Sequence, residues 1–285
     1  MKIAVTAATG QLGSLAIASL KKQLPQGQIV ALARDPAKGS GLGVEIREAD
    51  YRKPDTLARA LQGVTRLVLI SSGDFDGRFA QHLNVIRAAQ AAGTGHIIYT
   101  SILKGLGSPM LIAEDHKETE KAIVASGIPS TMLRNGWYTE NYTGSLGGAL
   151  AAGAMIGSAG NGQLSTAARA DYADAIAAVA AGSGHEGKVY ELAGDTAHTM
   201  AGMAAEVSRL VGRSIPYNNL PMETYAGILK SFGLPEGFAF VLADADARAA
   251  EGALFDDSGT LGRLIGRPTT PMAQTVAKAV SALAA

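Results

Sequence analysis

The chain of 285 residues sets 25 basic against 25 acidic side chains, is 47% hydrophobic, and carries 35 Gly, one Trp and no Cys. Zero net charge argues against nucleic acid or an anionic membrane as a partner, since either needs a basic face. Without Cys there are no disulfides, thiolate zinc sites or cysteine nucleophiles, and the five His, at 82, 96, 116, 185 and 198, lack metal-binding spacing.

Met1-Lys2-Ile3-Ala4-Val5 enters a strand-like run with no targeting segment before it, and no stretch is apolar enough to span a bilayer. A cytoplasmic location is expected. Short β-branched runs predict strands at 2–6, 28–33, 44–48, 65–70, 95–100 and 129–134. Between them apolar residues recur at helical spacing, as at Leu12, Leu15, Ala16 and at Leu83, Ile86, Ala89. Apolar strands joined by helices form a parallel sheet covered on both faces. The expected class is α/β, a doubly wound parallel (Rossmann) sheet.

After Gly136 the rhythm weakens. The pattern predicts a helix over 141–151, short strands at 155–158 and 163–166, and a helix over 169–181. A strand at 188–193, a helix over 199–211 and a strand at 215–219 follow, then mostly helix, with Pro221, Pro235 and Pro271 at first turns. The expected division is a sheet domain over 1–150 and a smaller, mostly helical lobe over 151–285, interleaved with the sheet. A cleft between the two is the expected site.

The first strand runs into Thr6-Ala7-Ala8-Thr9-Gly10-Gln11-Leu12-Gly13 and then an apolar helix. This is a dinucleotide fingerprint with its first Gly replaced by Ala7. Gly10 lets the backbone approach a pyrophosphate, Gly13 lets the helix pack close, and the helix end offers free N–H groups. A plain strand-to-helix turn is the alternative; the motif's place at the head of a β–α–β series favours a nucleotide. Ala7 is expected to hold an ordinary φ, because a left-handed one would cost Ala on the order of 1 kcal/mol.

The second strand ends at Arg34-Asp35-Pro36-Ala37-Lys38. Arg there pairs with the 2′-phosphate of NADPH, whereas an acid accepts from the 2′-hydroxyl of NADH. Arg34 and Lys38 favour NADPH; Asp35 favours NADH if its side chain turns inward. Tyr51 is expected near the adenine, and Ser71-Ser72-Gly73 near the nicotinamide ribose, at the carboxyl ends of parallel strands.

Reductases of this fold commonly protonate a carbonyl with a Tyr-x-x-x-Lys pair, yet none of the eight Tyr has Lys four residues later. The corresponding helix holds Ile112 and His116-x-x-x-Glu120 instead. That points to an acceptor whose reduced anion is stable without a strong protein acid. Quinones fit, and the protein's task then reduces to positioning. Asn135, at a strand's carboxyl end, is expected to bond the nicotinamide carboxamide or a substrate oxygen, and Gly136 leaves room for a ligand. Trp137, Tyr138 and Tyr142 either wall a planar substrate or pack the core. His116 either bonds a substrate oxygen or satisfies itself within the protein.

These residues resemble the NmrA-like, atypical short-chain dehydrogenase/reductases, and within them the bacterial type-2 NAD(P)H:quinone oxidoreductases. The shared stretches are Thr9–Gly13, Arg34–Lys38, Ala49–Tyr51, Leu69–Ser72, Leu133–Tyr138, Arg169–Ala173, Gly184–Lys188 and Leu264–Thr270. The resemblance implies NADPH-dependent quinone reduction, with cofactor contacts at 9–13, Arg34, Ser71–Gly73, Asn135, Gly136, Trp137, Tyr138 and Arg169. Ala7 replaces the usual Gly, and Asp35 stands where these enzymes often carry Asn. Two alternatives remain: a ketone reductase with water, His116 or Tyr138 as proton donor, and a redox sensor that binds NADP without turnover. A small-molecule quinone or carbonyl substrate and a homodimer are expected.

Overall fold

A computed structural model, which describes residues 1–74 and 76–284, contains nine strands. They are β1 (Ile3–Val5), β2 (Ile29–Ala33), β3 (Glu45–Glu48), β4 (Arg66–Leu69), β5 (His96–Ile102), β6 (Ser130–Asn135), β7 (Met155–Gly157), β8 (Val189–Leu192) and β9 (Tyr217–Asn219). Seven form one sheet in the order β3-β2-β1-β4-β5-β6-β8, and β7 pairs with β9. The pairings from β3 through β6 are all parallel. The doubly wound class is therefore correct, with the six expected strands in place and β8 joining them.

The chain divides into two compact units. The first holds Met1–Gly105, Asp115–Asn135 and Ala170–Tyr190; the second holds Leu106–Glu114, Gly136–Arg169 and the described residues from Glu191 onward. In the first unit β1, β2 and β5 are buried at every position, because helices cover both faces of the sheet. Leu32, Leu57, Leu67, Val85, Ile97 and Met132 pack one core cluster. Edge strand β3 carries Glu45 and Arg47 instead, paired at 2.7 Å in solvent, which keeps a bare sheet edge from pairing with another chain.

Two local expectations fail. Residues 163–166 form no strand: Leu164 makes a single bridge to His198, while Ser165 donates to the Leu254 carbonyl and Ala167 to that of Trp137. Three neighbours share the segment's hydrogen bonds, so no ladder runs along it. The helix expected over 141–151 is two, Thr139–Thr143 and Leu146–Ala152. It breaks at Ser145, whose hydroxyl donates to the Tyr142 carbonyl at 3.0 Å in competition with the backbone.

Candidate active site

In the first unit, β1 runs into the turn of residues 6–10. The Thr6 hydroxyl is fully buried, 2.5 Å from the Tyr51 hydroxyl and accepting the Ile70 N–H at 2.9 Å. Tyr51 also reaches the Ile70 carbonyl at 2.8 Å. These two hydroxyls knit the ends of β1 and β4 to the segment after β3, so their polar atoms are already engaged within the fold.

Ala7 stands at φ 47°, in the left-handed region, which overturns the expectation of an ordinary φ. The turn demands it: the Ala7 carbonyl accepts the Gly10 N–H at 2.9 Å while the Ala8 N–H reaches the Leu32 carbonyl at 3.1 Å. A Cβ on Gly13 would stand 2.3 Å from the Ala7 oxygen and 2.8 Å from the Ala8 Cα, so only glycine lets the helix Gln11–Leu20 start there. No side chain caps that helix at Gly10, and no acid lies in its first turn. Thr9, Gly10 and Gln11 are exposed while Leu12 packs inward. Unpaired N–H groups at the positive end of a helix make an anion site.

At the tip of β2, Arg34 and Lys38 are both exposed. Asp35 accepts the Ala37 N–H at 3.1 Å and caps the short helix Pro36–Leu42. Its carboxylate is thus committed to its own turn, and neither cation has an ion-pair partner among the described residues. After β4, the Ser71 N–H donates to the Thr100 hydroxyl at 2.9 Å and the Ser72 N–H to His82 Nε2 at 2.9 Å. The Ser72 hydroxyl donates to Gln81 at 3.0 Å, and Gly73 is exposed. His82 is held neutral, its pKa pushed down to about 3 by burial and then by Arg78.

His116, on the helix Glu114–Ala125, is buried with Nδ1 2.8 Å from the Tyr99 hydroxyl. Burial, reinforced by Arg78, holds its imidazole well below the ordinary pKa, so it offers no imidazolium proton. Glu120 binds Arg134 through two contacts, at 3.0 and 2.7 Å, and accepts from Ser101 at 2.6 Å; it is a structural residue. Asn135 differs from all of these. It ends β6, is 4% exposed, and neither its Oδ1 nor its Nδ2 has a hydrogen-bond partner among the described residues. An unpaired buried amide costs about 1–3 kcal/mol, so this side chain fits a ligand that offers both a donor and an acceptor.

In the second unit, the Gly136 N–H donates to the Leu192 carbonyl at 2.7 Å, and buried Trp137 accepts from the Ala167 N–H at 3.2 Å. Arg169 lies 4.7 Å over the Tyr138 ring, and its N–H donates to both Glu140 oxygens at 3.0 Å. Glu140 thereby starts the helix Arg169–Ala181 and fixes where the guanidinium leaves the chain. Trp137 and Tyr142 line one cavity of about 290 Å³; Tyr138 is not among its walls. The unit is thus split between a stacked Arg169–Tyr138 pair and an aromatic-walled hollow.

His82, Thr100 and Glu140, which anchor the backbone of Ser71, Ser72 and Arg169, escaped the sequence reading because nothing local marks their distant partners. A lone buried polar residue within an otherwise apolar pattern was the available signal. The residues present fit a dinucleotide: an uncapped helix end, two exposed cations at the β2 tip, and an amide at the β6 end with no partner among the described residues.

Residues 7–183 match the model of an NAD(P)H-binding family. Over 277 residues, 96% of this chain and 97% of the relative, the sequence is 52% identical to Quinone oxidoreductase 2 of Escherichia coli K12. The crystal structure of the E. coli NADPH-dependent quinone oxidoreductase complexed with NADPH superposes with a TM-score of 0.94, covering 97% of this chain and 99% of that one at 52% identity. The Citrobacter sp. triphenylmethane reductase complexed with NADP(H) follows at a TM-score of 0.92 and 36% identity, with 98% and 100% covered. No helix among the described residues is long and apolar enough to cross a membrane. The left-handed turn, the uncapped helix and the matched sequence agree: this chain belongs to the NAD(P)H-binding family.

Proposed function

We propose that the chain is an NADPH-dependent oxidoreductase that reduces quinones by direct hydride transfer. The observation that carries this is the lack of a protein acid where carbonyl reductases keep one: Ile112 fills that position, and His116 is buried, neutral and bound to Tyr99. When bound, NADPH supplies the hydride.

The protein's own part is positioning. The helix end at Gly10–Gly13 holds the diphosphate, and Arg34 with Lys38 meets the 2′-phosphate. Ser71–Gly73, on a backbone anchored by Thr100 and His82, borders the ribose. Asn135, whose amide can both donate and accept, would hold the nicotinamide carboxamide. Gly136, Trp137, Tyr138 and Arg169 complete the contacts in this reading. A reduced quinone spreads its negative charge over the ring, so water suffices as its proton source. The same reading places the protein in the cytoplasm as a homodimer.

The test is NADPH consumption by the purified protein across soluble quinones, simple ketones and dyes. Quinones should be reduced fastest. Ketones consumed at comparable rates would favour the carbonyl reductase, and cofactor binding without any turnover would favour the sensor.

A further inference from the structure

The cavity of the second unit is apolar along most of its wall, with Trp137, Met155 and Phe232 among its linings, and Asp246 is the one charged residue there among the described residues. Asp246 is only 5% exposed. Its carboxylate accepts from the Tyr142 hydroxyl at 3.0 Å and the Ser158 N–H at 2.9 Å, both neutral donors, and has no ion-pair partner among the described residues. Burial pushes its pKa above the ordinary carboxylate value, and the Ser158 N–H and the Tyr142 hydroxyl, which favour the charged form, oppose that push. A Cβ on Gly157 would stand 2.4 Å from Asp246 Oδ2, so that strand position is open because the carboxylate fills it. Tyr225 also lines the cavity, and its hydroxyl makes no hydrogen bond among the described residues. Phe232 is 71% exposed while touching the same hollow, which puts it at the mouth.

We propose that this cavity receives the electron acceptor and ranks acceptors by charge, taking flat aromatic rings that are neutral or cationic and turning away anionic ones, with Asp246 setting that order. The aromatic walls suit a planar ring, and a cation gains both from the ring faces and from the carboxylate. An anionic substituent meets Asp246 with no cation to offset it. Tyr225 supplies a free hydroxyl to a ring oxygen.

Because this rests on reading the chain as a quinone reductase, the test measures binding apart from turnover. Three anthraquinones of matched ring, bearing a hydroxymethyl, a quaternary ammonium or a sulfonate group, are titrated calorimetrically into the protein with NADP⁺ present. The ammonium compound should bind at least about ten-fold tighter than the sulfonate, with the neutral one between. Asp246→Asn should bring the charged pair within roughly three-fold of each other. Phe232→Ala, at an exposed position, should weaken all three alike and preserve their order.

Equal affinities in the unaltered protein, an order that survives Asp246→Asn in a folded variant, or no effect of Phe232→Ala would each overturn the assignment. Charge-ordered binding without NADPH consumption would sink the quinone-reductase reading and leave this one standing. Quinone turnover without charge order would do the reverse.

Discussion

The carbonyl oxygen of Ala7 lies 2.3 Å from where a Cβ on residue 13 would stand. The left-handed Ala7 aims that oxygen at the first turn of the following helix, and Gly13 is what tolerates it. Gly13→Ala must therefore push the helix away from the turn. We expect a loss of about 1–3 kcal/mol of stability, as for overpacking, together with a large loss of NADPH affinity. Denaturant unfolding and a titration of NADPH fluorescence check the two effects. A variant that binds NADPH like the parent would show that the helix end is not the phosphate site.

Arg34 and Asp35 divide the work at the β2 tip. With the Asp35 carboxylate held by the Ala37 N–H, Arg34 is the residue left to read the ribose. Arg34→Ala should weaken NADPH by about 1–3 kcal/mol, the worth of a charge-assisted contact, and leave NADH nearly unchanged. Dissociation constants for both nucleotides test this. An unchanged preference would take Arg34 out of phosphate recognition.

The orphaned amide of Asn135 separates a ligand-binding role from a structural one. A side chain that holds the fold together weakens the fold when removed; one that waits unpaired does not. Asn135→Ala should unfold at a midpoint no lower than the parent's while turnover falls at least about ten-fold, or 1.4 kcal/mol of transition-state stabilisation. A destabilised variant with full turnover would reverse the assignment.

His82 makes stability depend on pH. Its folded value, about 3, lies below the ordinary 6.5, so between those values the unfolded chain binds a proton that the folded chain refuses. Stability is thus full above 6.5 and falls as pH drops through the window, by up to roughly 4–5 kcal/mol once both forms are protonated. His82 Nε2 accepts the Ser72 N–H, so forced protonation also frees the loop after β4. Unfolding at pH 7 and pH 5 should show a shallower pH dependence for His82→Gln than for the parent, and equal slopes would contradict the attribution.

The six leading strands and the Gly10–Gly13 turn were legible because their signals are local: β-branched runs, helical spacing, and glycines where a strand meets a helix. Asn135 was legible for the same reason, as a polar residue closing an apolar strand. What escaped depended on side-chain direction or on distant partners. Arg34 and Lys38 already favour NADPH in the sequence, but which way Asp35 turns is not readable until its carboxylate is seen capping its own turn. Ala7 reads as an ordinary residue until the bond from Gly10 sets its φ. His116 sits where a catalytic group would stand, and only burial against Tyr99 shows it to be a core residue. Asp246 meets Tyr142 across 104 positions, inside an Ala-rich helix whose sequence marks nothing unusual.

Rapid mixing of the NADPH-loaded protein with a soluble neutral quinone is the most direct trial of hydride transfer from this site. NADPH absorbance should decay in a single turnover, more slowly when the transferred hydrogen at nicotinamide C4 is deuterium, with one quinol formed per NADPH lost. Stable NADPH absorbance on a protein that demonstrably binds it, with one quinone after another, would contradict the account.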